Sequence, residues 1–217
     1  MSLPLGVIFD MDGVLLDSEP FICKAACMMF KELGLDVNPK DFIPFVGAGE
    51  IRYIGGVAEK YDFHIDIMQA KARTYEIYLD IIKGKLTPLP GAKEFIEKCK
   101  SSGKKIAVAT SADRIKLEGN LTEINLPKNI FDAIITAEDA THKKPNPEIF
   151  IKAAEMLNLE PNTCLVVEDA INGVIAAKSA GAKCLALTTS FSKDKLPSAD
   201  WYARDLAHAP DECLHWP

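Results

Sequence analysis

Short apolar runs alternate with segments of helical periodicity along most of this chain. The apolar runs are rich in β-branched residues and leucine, which is typical of strands buried on both faces of a parallel sheet. They predict strands at residues 5–9, 105–110, 133–136, 163–168 and 183–187, and a brief strand near residues 201–203. Helices are predicted at residues 92–102, 112–124, 146–158 and 171–180. This repetition predicts a parallel sheet with helices on both faces and right-handed crossovers.

Residues 18–85 follow a different pattern, because helical segments succeed one another there without an intervening strand. The first helix is expected to begin after Ser18, a favoured capping residue, and to end at Gly34. Further helical segments are predicted to start at Pro39 and to occupy residues 51–61 and 66–83. The change of pattern marks an inserted helical domain.

These two patterns predict an α/β protein with two parts. A parallel-sheet core is assigned to residues 1–16 and 87–217, and an inserted all-helical cap to residues 17–86. With 48% hydrophobic residues, the chain of 217 residues has enough apolar material for a substantial core.

Charge and hydropathy exclude several classes of function. A formal net charge of −6 offers no basic face for nucleic acid. No apolar run approaches the length of about 18 residues that a membrane span needs, and residues 1–5 lack the pattern of a signal peptide. The six cysteines include no Cys-x-x-Cys pair, which favours free thiols. We therefore expect a monomeric, cytoplasmic protein that binds neither nucleic acid nor membrane.

Two carboxylates, Asp10 and Asp12, follow the first predicted strand directly. Alternation along an extended chain places them on the same side, just beyond the carboxyl end of the strand, where open α/β sheets bind ligands. Such a pair needs a cation, a shared proton or strong hydrogen-bond donors nearby. Gly13 then allows a turn that a side chain would obstruct. A plain turn at the end of a strand is the alternative interpretation.

The longer string at residues 7–20, VIFDMDGVLLDSEP, resembles the first motif of the haloacid-dehalogenase-like phosphohydrolases. The resemblance implies that Asp10 is the nucleophile that takes up a phosphoryl group. It implies that Asp12 is the acid/base, which protonates the leaving alcohol and then activates water. An aspartyl phosphate splits one difficult displacement into two easier ones.

Two further strand ends resemble the second and third motifs of that family. Thr110 and Ser111 follow the second core strand, and the resemblance implies that they bind the transferring phosphoryl group, helped by backbone N–H groups near a helix start. Lys144, directly before Pro145, matches the third motif. Its ammonium would offset the charge of the phosphate and of the acidic cluster.

Glu168 and Asp169 end another apolar strand and, with Asn172 and Gly173, resemble the fourth motif. Asp169, Asp10 and the backbone carbonyl of Asp12 could supply hard oxygen ligands for Mg²⁺. Glu168 matches the other acid of that motif, which binds the metal directly or through water.

The four motifs occur in order and resemble the branch of the family with a helical cap after the first motif. That branch includes phosphoglycolate phosphatases, β-phosphoglucomutases and sugar-phosphate phosphatases, and it implies a Rossmann-like core. In this family the cap contacts the organic part of the substrate, which makes Glu50 and Arg52 candidate specificity residues. The β-phosphoglucomutases usually carry an arginine where Glu50 stands and a histidine where Ile22 stands. Both departures argue against mutase chemistry.

The sequence as a whole predicts a Mg²⁺-dependent phosphatase for a small phosphomonoester, such as a sugar or polyol phosphate, that acts through an aspartyl phosphate. One alternative is a phosphomutase similar to β-phosphoglucomutase. The other is a catalytically silent module that binds a phosphate ligand.

Overall fold

Six strands form a parallel sheet in the computed structural model, which describes residues 5–197 and 199–215. The strands are β1 (Gly6–Phe9), β2 (Lys105–Ala109), β3 (Ala133–Ile135), β4 (Cys164–Glu168), β5 (Lys183–Leu187) and β6 (Trp201–Ala203). Each lies within one residue of its predicted bounds, so the α/β prediction is confirmed. The ends of the predicted core, residues 1–4 and 216–217, lie outside the described residues.

The helices occupy both faces of the sheet and the segment between β1 and β2. They are α1 (Glu19–Glu32), α2 (Glu50–Lys60), α3 (Ile67–Ile81), α4 (Ala92–Ser101), α5 (Arg114–Glu123), α6 (Glu148–Met156) and α7 (Ile171–Ser179). A 3₁₀ turn at Pro39–Phe45 joins α1 to α2. We keep the predicted division and call residues 17–86 the cap. Among the described residues, none of the helices has the length and apolar character needed to cross a membrane.

The strand order, β3-β2-β1-β4-β5-β6, determines where a ligand can bind. The order reverses between β1 and β4, and open α/β sheets bind ligands beyond the carboxyl ends of the strands at such a point. Asp10 follows β1, and Glu168 is the last residue of β4. The topology therefore brings the first and fourth motifs to the same place.

Side chains of β1 alternate between two apolar clusters. Val7 and Phe9 pack in a cluster that continues without a break into the cap, where it includes Phe30 and Phe42. Ile8 belongs to the cluster on the opposite face of the sheet, against α6 and α7. Full burial of a side chain of this kind contributes about 1.5–3 kcal/mol, so the central strand is held firmly from both sides.

The two chain segments that connect cap and core lie side by side. Leu16, before the cap, forms an antiparallel bridge with Pro88, after it. The backbone N–H of Leu89 donates to the carbonyl of Leu15 at 2.9 Å. Both chain connections between cap and core therefore lie at one place beside the end of β1.

Candidate active site

A cavity of about 270 Å³ lies between the carboxyl edge of the sheet and the cap. Eight of the nine predicted site residues line it, namely Asp10, Asp12, Glu50, Thr110, Ser111, Lys144, Glu168 and Asp169. The ninth, Arg52, does not. The three strand ends and the Lys144 loop thus converge as the sequence predicts.

Lys144 joins the first and fourth motifs through two ion pairs. Its Nζ donates to Asp10 Oδ1 at 2.5 Å and to Glu168 Oε1 at 2.7 Å. Burial raises the pKa of Asp10 to about 7, with the Lys144 charge opposing that rise. Burial alone would lower the pKa of Lys144, but the charges of Asp10 and Glu168 outweigh it and hold that pKa above its usual value. The ammonium therefore stays charged beside the predicted nucleophile.

Glu168 is occupied on both carboxylate oxygens. Oε1 accepts from Lys144, and Oε2 accepts the backbone N–H groups of Asp169 and Ala170, each at 2.7 Å. A Cβ at Gly173 would stand 1.7 Å from Oε1, so glycine is needed for this close approach. These contacts orient Lys144 and the start of α7. The role of Glu168 as a metal ligand, directly or through water, stays a prediction.

Asp169 is a second buried carboxylate beside Asp10, and Ser190 forms a hydrogen bond with it. Burial raises the pKa of Asp169 well above its ordinary value, and the charges of Glu168 and Asp10 add to that rise. The backbone of Gly13 (φ +77°) approaches so closely that a Cβ there would lie 1.9 Å from Asp169 Oδ2. Two buried carboxylates next to a backbone turn form an oxygen-rich group with one ammonium, Lys144, to neutralise it.

This donor set suits Mg²⁺, which commonly binds through one or two carboxylates, substrate phosphate and water. Within residues 5–197 and 199–215, no three Asp, Glu, His or Cys side chains come together as a metal site. A Mg²⁺ ion held by Asp10, Asp169 and a backbone carbonyl does not require a third side chain. The residues present therefore fit the ion.

Asp12 also has a donor on each oxygen. Ser18 donates its hydroxyl to Oδ1, and Lys116 donates to Oδ2 at 2.9 Å. The prediction that Ser18 caps α1 is wrong, because its side chain makes no capping hydrogen bond to the described residues of that helix. The hydroxyl is instead used in the site, where Ser18 is 1% exposed.

Lys116 is a site residue that the sequence analysis missed. It lies in the first turn of α5 and is only 4% exposed, although most lysines on helices face solvent. Burial alone would lower its pKa, but the charges of Asp12 and Glu50 outweigh that effect and hold the pKa above its usual value. The available signal was weak: Lys116 and Asn120 are one turn apart and share the buried face of α5.

Thr110 and Ser111 lie where the phosphate is expected. Thr110 Oγ1 accepts the backbone N–H of Ala112 at 3.1 Å, which leaves its own proton to donate. Thr110 is buried and Ser111 is partly exposed at the cavity wall.

The cap contributes acidic and apolar groups to the cavity. Glu50 Oε1 lies 3.5 Å from Lys116 Nζ, and burial raises the pKa of Glu50. Glu19 accepts the hydroxyl of Tyr53 at 2.6 Å, and burial raises the pKa of Glu19 to about 7. Glu19 and Tyr53 are further lining residues that the sequence analysis did not single out.

Arg52 lies apart from this arrangement. Its guanidinium pairs with Glu59 at 2.7 Å and lies over the ring of Phe45, 4.9 Å from the centroid. About half of its side chain, 52%, is exposed. The structure therefore brings Glu50 to the cavity and leaves Arg52 outside it.

Comparison with known proteins gives a consistent family match. A model of the family described as Haloacid dehalogenase-like hydrolase matches residues 7–187. Hexitol phosphatase B of Escherichia coli (strain K12) is 30% identical over 195 residues, which cover 83% of each protein.

A second relative and a solved structure are also similar to this chain, but the matches cover different shares of those proteins. The chain is 43% identical over 196 residues to Protein SUPPRESSOR OF QUENCHING 1, chloroplastic, of Arabidopsis thaliana; the match covers 89% of this chain but only 19% of that protein. The crystal structure of CbbY from Rhodobacter sphaeroides in complex with phosphate superposes with a TM-score of 0.86. At 23% identity over 94% of this chain and 96% of that one, it supports the fold.

Proposed function

The chain belongs to the haloacid dehalogenase-like hydrolase family and is a phosphoric monoester hydrolase, and we propose that it is a Mg²⁺-dependent phosphatase for small sugar or polyol phosphates. The observation that carries this proposal is the convergence of Asp10, Lys144 and Asp169 on one cavity beneath the cap. A nucleophilic carboxylate, a fixed cation and an oxygen ligand are the groups that phosphoryl transfer needs.

In the proposed first step, an Asp10 carboxylate oxygen attacks phosphorus. The bond from phosphorus to the ester oxygen breaks, its electron pair stays on that oxygen, and Asp12 gives the oxygen a proton. In the second step, Asp12 takes a proton from water as the water attacks phosphorus, which releases inorganic phosphate and restores Asp10.

The surrounding groups stabilise charge on the moving phosphoryl group. In this proposal Lys144 and the hydroxyl of Thr110 donate to its oxygens, together with groups at Ser111. Mg²⁺, when bound by Asp10, Asp169 and the Asp12 carbonyl, supplies further positive charge and orientation.

The substrate class rests on the relatives and on the cavity. One relative is named a hexitol phosphatase, and a cavity of about 270 Å³ suits a small ester. The cap side of the cavity presents Glu19, Glu50 and Ile22. Acidic cap groups favour an uncharged polyol over an organic part that carries a second phosphate.

A panel assay of phosphate release tests the proposal. Hexitol, hexose and pentose monophosphates, glycerol phosphate, phosphoglycolate and p-nitrophenyl phosphate are incubated with and without Mg²⁺. We expect release from sugar or polyol phosphates that EDTA abolishes and Mg²⁺ restores. Borohydride treatment of an acid-quenched reaction should convert Asp10 to homoserine, the reduction product of an acyl phosphate. Absence of Mg²⁺-dependent release across the panel would instead favour a silent phosphate-binding module.

The mutase alternative has its own test. A mutase must keep water from the aspartyl phosphate until a second sugar hydroxyl arrives. Ile22 cannot relay a proton, and Glu50 would repel the second phosphate of the sugar bisphosphate that a mutase must hold. On incubation with β-glucose 1-phosphate and a trace of the bisphosphate, inorganic phosphate should therefore form faster than glucose 6-phosphate. Faster accumulation of glucose 6-phosphate would show that the hydrolase assignment is wrong.

A further inference from the structure

The cavity contains two buried lysines, and the mechanism above uses only one. Lys144 serves the nucleophile, whereas Lys116 has no part in phosphoryl binding. Lys116 Nζ donates to Asp12 Oδ2 at 2.9 Å and lies 3.5 Å from Glu50 Oε1. One carboxylate belongs to the core and the other to the cap, so this ammonium connects the two parts of the protein at the acid/base residue.

The contacts of Asp12 assign different tasks to its two oxygens. Oδ2 accepts from an ammonium, which can only donate. Oδ1 faces the hydroxyl of Ser18, which can donate or accept, so Oδ1 is the oxygen able to carry a proton. An ammonium fixed on Oδ2 also stabilises the carboxylate that remains once the proton has moved to the leaving oxygen.

Glu50 connects the contact between Lys116 and Asp12 to the cap. It is the first residue of α2, is 8% exposed, and lies at the cavity. Removing one partner from a buried ion pair leaves an uncompensated charge that rearranges or recruits water. Loss of Glu50 leaves Lys116 with Asp12 as its carboxylate partner, so the ammonium should stay near Asp12 but be less constrained in orientation.

We propose that Lys116 is a positioning residue that holds Asp12 for proton transfer to the leaving alcohol, and that Glu50 of the cap holds Lys116 in turn. The inference rests on the proposed phosphatase function. It predicts that proton donation is efficient only when the cap lies over the core with Glu50 beside Lys116.

The chain offers a matched control for this pair. Lys71 in α3 of the cap pairs with Asp113, which precedes α5 of the core, at 2.5 Å. Both side chains are largely buried, at 15% and 14% exposure. This second ion pair also joins cap to core but makes no contact with Asp12. Lys71→Met therefore removes a connection between the two parts without touching the acid/base.

The dependence of the rate on the leaving group shows whether Lys116 positions Asp12 for proton transfer or only stabilises the local structure. p-Nitrophenol leaves readily without a proton, whereas an aliphatic alcohol needs one. For Lys116→Met, we expect kcat/KM on the best alkyl phosphate of the panel to fall about 100-fold, but kcat/KM on p-nitrophenyl phosphate less than about threefold. The comparison uses kcat/KM because it covers only the steps up to the aspartyl phosphate, whereas kcat also includes the hydrolysis step that is common to both substrates.

Two further variants complete the experiment. Glu50→Gln should show the same preference for the good leaving group, with a loss of about tenfold on the alkyl phosphate. The double variant should be no slower than Lys116→Met alone, because both changes act through one contact. Lys71→Met should change the two substrates by the same factor.

The outcomes are distinct. Equal losses of kcat/KM on both substrates would overturn the positioning role. If Lys116→Met does not fold, Glu50→Gln decides, and the absence of any leaving-group dependence in it overturns the inference. If the unaltered chain hydrolyses neither substrate with Mg²⁺, the proposed function itself fails, and this inference fails with it.

Discussion

The two walls of the cavity hold their charged groups in different ways. On the core wall, Asp10 and Glu168 share the Lys144 ammonium, and further backbone donors complete the coordination of Glu168. These groups stand at the ends of β1 and β4, two adjacent strands of a sheet that is buried on both faces. Their relative positions are therefore fixed by the sheet itself.

On the cap wall the polar groups are less completely paired. Glu19 accepts from a neutral tyrosine hydroxyl, and Glu50 lies 3.5 Å from an ammonium that it shares with Asp12. The hydroxyl of Tyr75, also in the cap, is buried without a hydrogen-bond partner among the described residues. The comparison teaches that the core holds a rigid reactive centre, whereas the cap presents groups that small movements can pair differently.

Removal of the proposed nucleophile, Asp10 on the core wall, should have the largest effect on kcat. Asp10→Asn cannot form an acyl phosphate, so we expect kcat to fall by on the order of 10³-fold or more. The metal-free variant should keep or raise its thermal midpoint, because burial disfavours the charge of Asp10. Near-normal turnover in a folded sample, checked by circular dichroism, would overturn the mechanism.

A Gly13→Ala substitution should also affect the core wall, because the added methyl group would displace Asp169. In Gly13→Ala, the left-handed φ costs about 1–3 kcal/mol, and the Cβ would stand 1.9 Å from Asp169 Oδ2. Displacement of Asp169 should lower kcat by on the order of 100-fold. Gly181→Ala is the control, since its φ of +84° is similar but nothing lies within 4 Å. The control should lose stability but not kcat; similar kcat in both variants would contradict the assigned role of Asp169.

The pH dependence of stability should reveal the buried carboxyls of both walls together. Burial raises the pKa of Asp10 from 3.8 and of Glu19 from 4.5, each to about 7. Between pH values near 4 and near 7, these two carboxyls bind more protons in the folded chain than in the unfolded chain. The free energy of unfolding therefore decreases as the pH rises through this range. Glu148, whose pKa is lowered by its hydrogen bond from Lys152, opposes this trend only below about pH 4.5.

Thermal unfolding in EDTA measures the effect. Lowering the pH from about 8 to about 5.5 should raise the unfolding free energy by up to about 2 kcal/mol for each of these two carboxyls. For a chain of this size, each kcal/mol raises Tm by about 2–4 °C. Added Mg²⁺ should raise Tm more at the higher pH, because its ligands must be ionised. A Tm that falls on acidification in this range would show that these carboxyls are better paired than described.

The smallest effect is expected outside the cavity. Arg52→Ala removes an exposed ion pair with Glu59, worth about 0–1 kcal/mol, and should change kcat/KM by less than about twofold. Its counterpart at the cavity, Glu50→Gln, should change catalysis clearly more. A large loss of kcat/KM in Arg52→Ala would mean that the cap rotates to bring the guanidinium to the substrate.

The sequence predicted the sheet and the core wall well because both depend on local patterns. Asp10 and Asp169 follow apolar runs directly, so locating the strands also locates the carboxylates. Glu50 and Arg52 were predicted together as specificity residues, but residues two apart on a helix do not face the same way. In α2 one faces the cavity and the other faces solvent.

The missed residues share a different cause. Ser18 is a good capping residue by local preference, but its hydroxyl is used by a carboxylate from another part of the chain. Lys116 lies 104 positions from Asp12 in sequence, and an isolated lysine on a helix gives no sign of such a partner. Tertiary contacts override local preference at these two positions, and the sequence of one chain does not record them.

The side-by-side connections at Leu16 and Pro88 bear on how such a protein can diversify. A segment whose two ends already meet can be lengthened, shortened or exchanged at little cost in loop-closure entropy. The sheet and its strand-end carboxylates would remain intact through such an exchange, because the join lies at their margin. Splicing a different helical segment between these two residues is thus the simplest way for this scaffold to acquire a new substrate while retaining its chemistry.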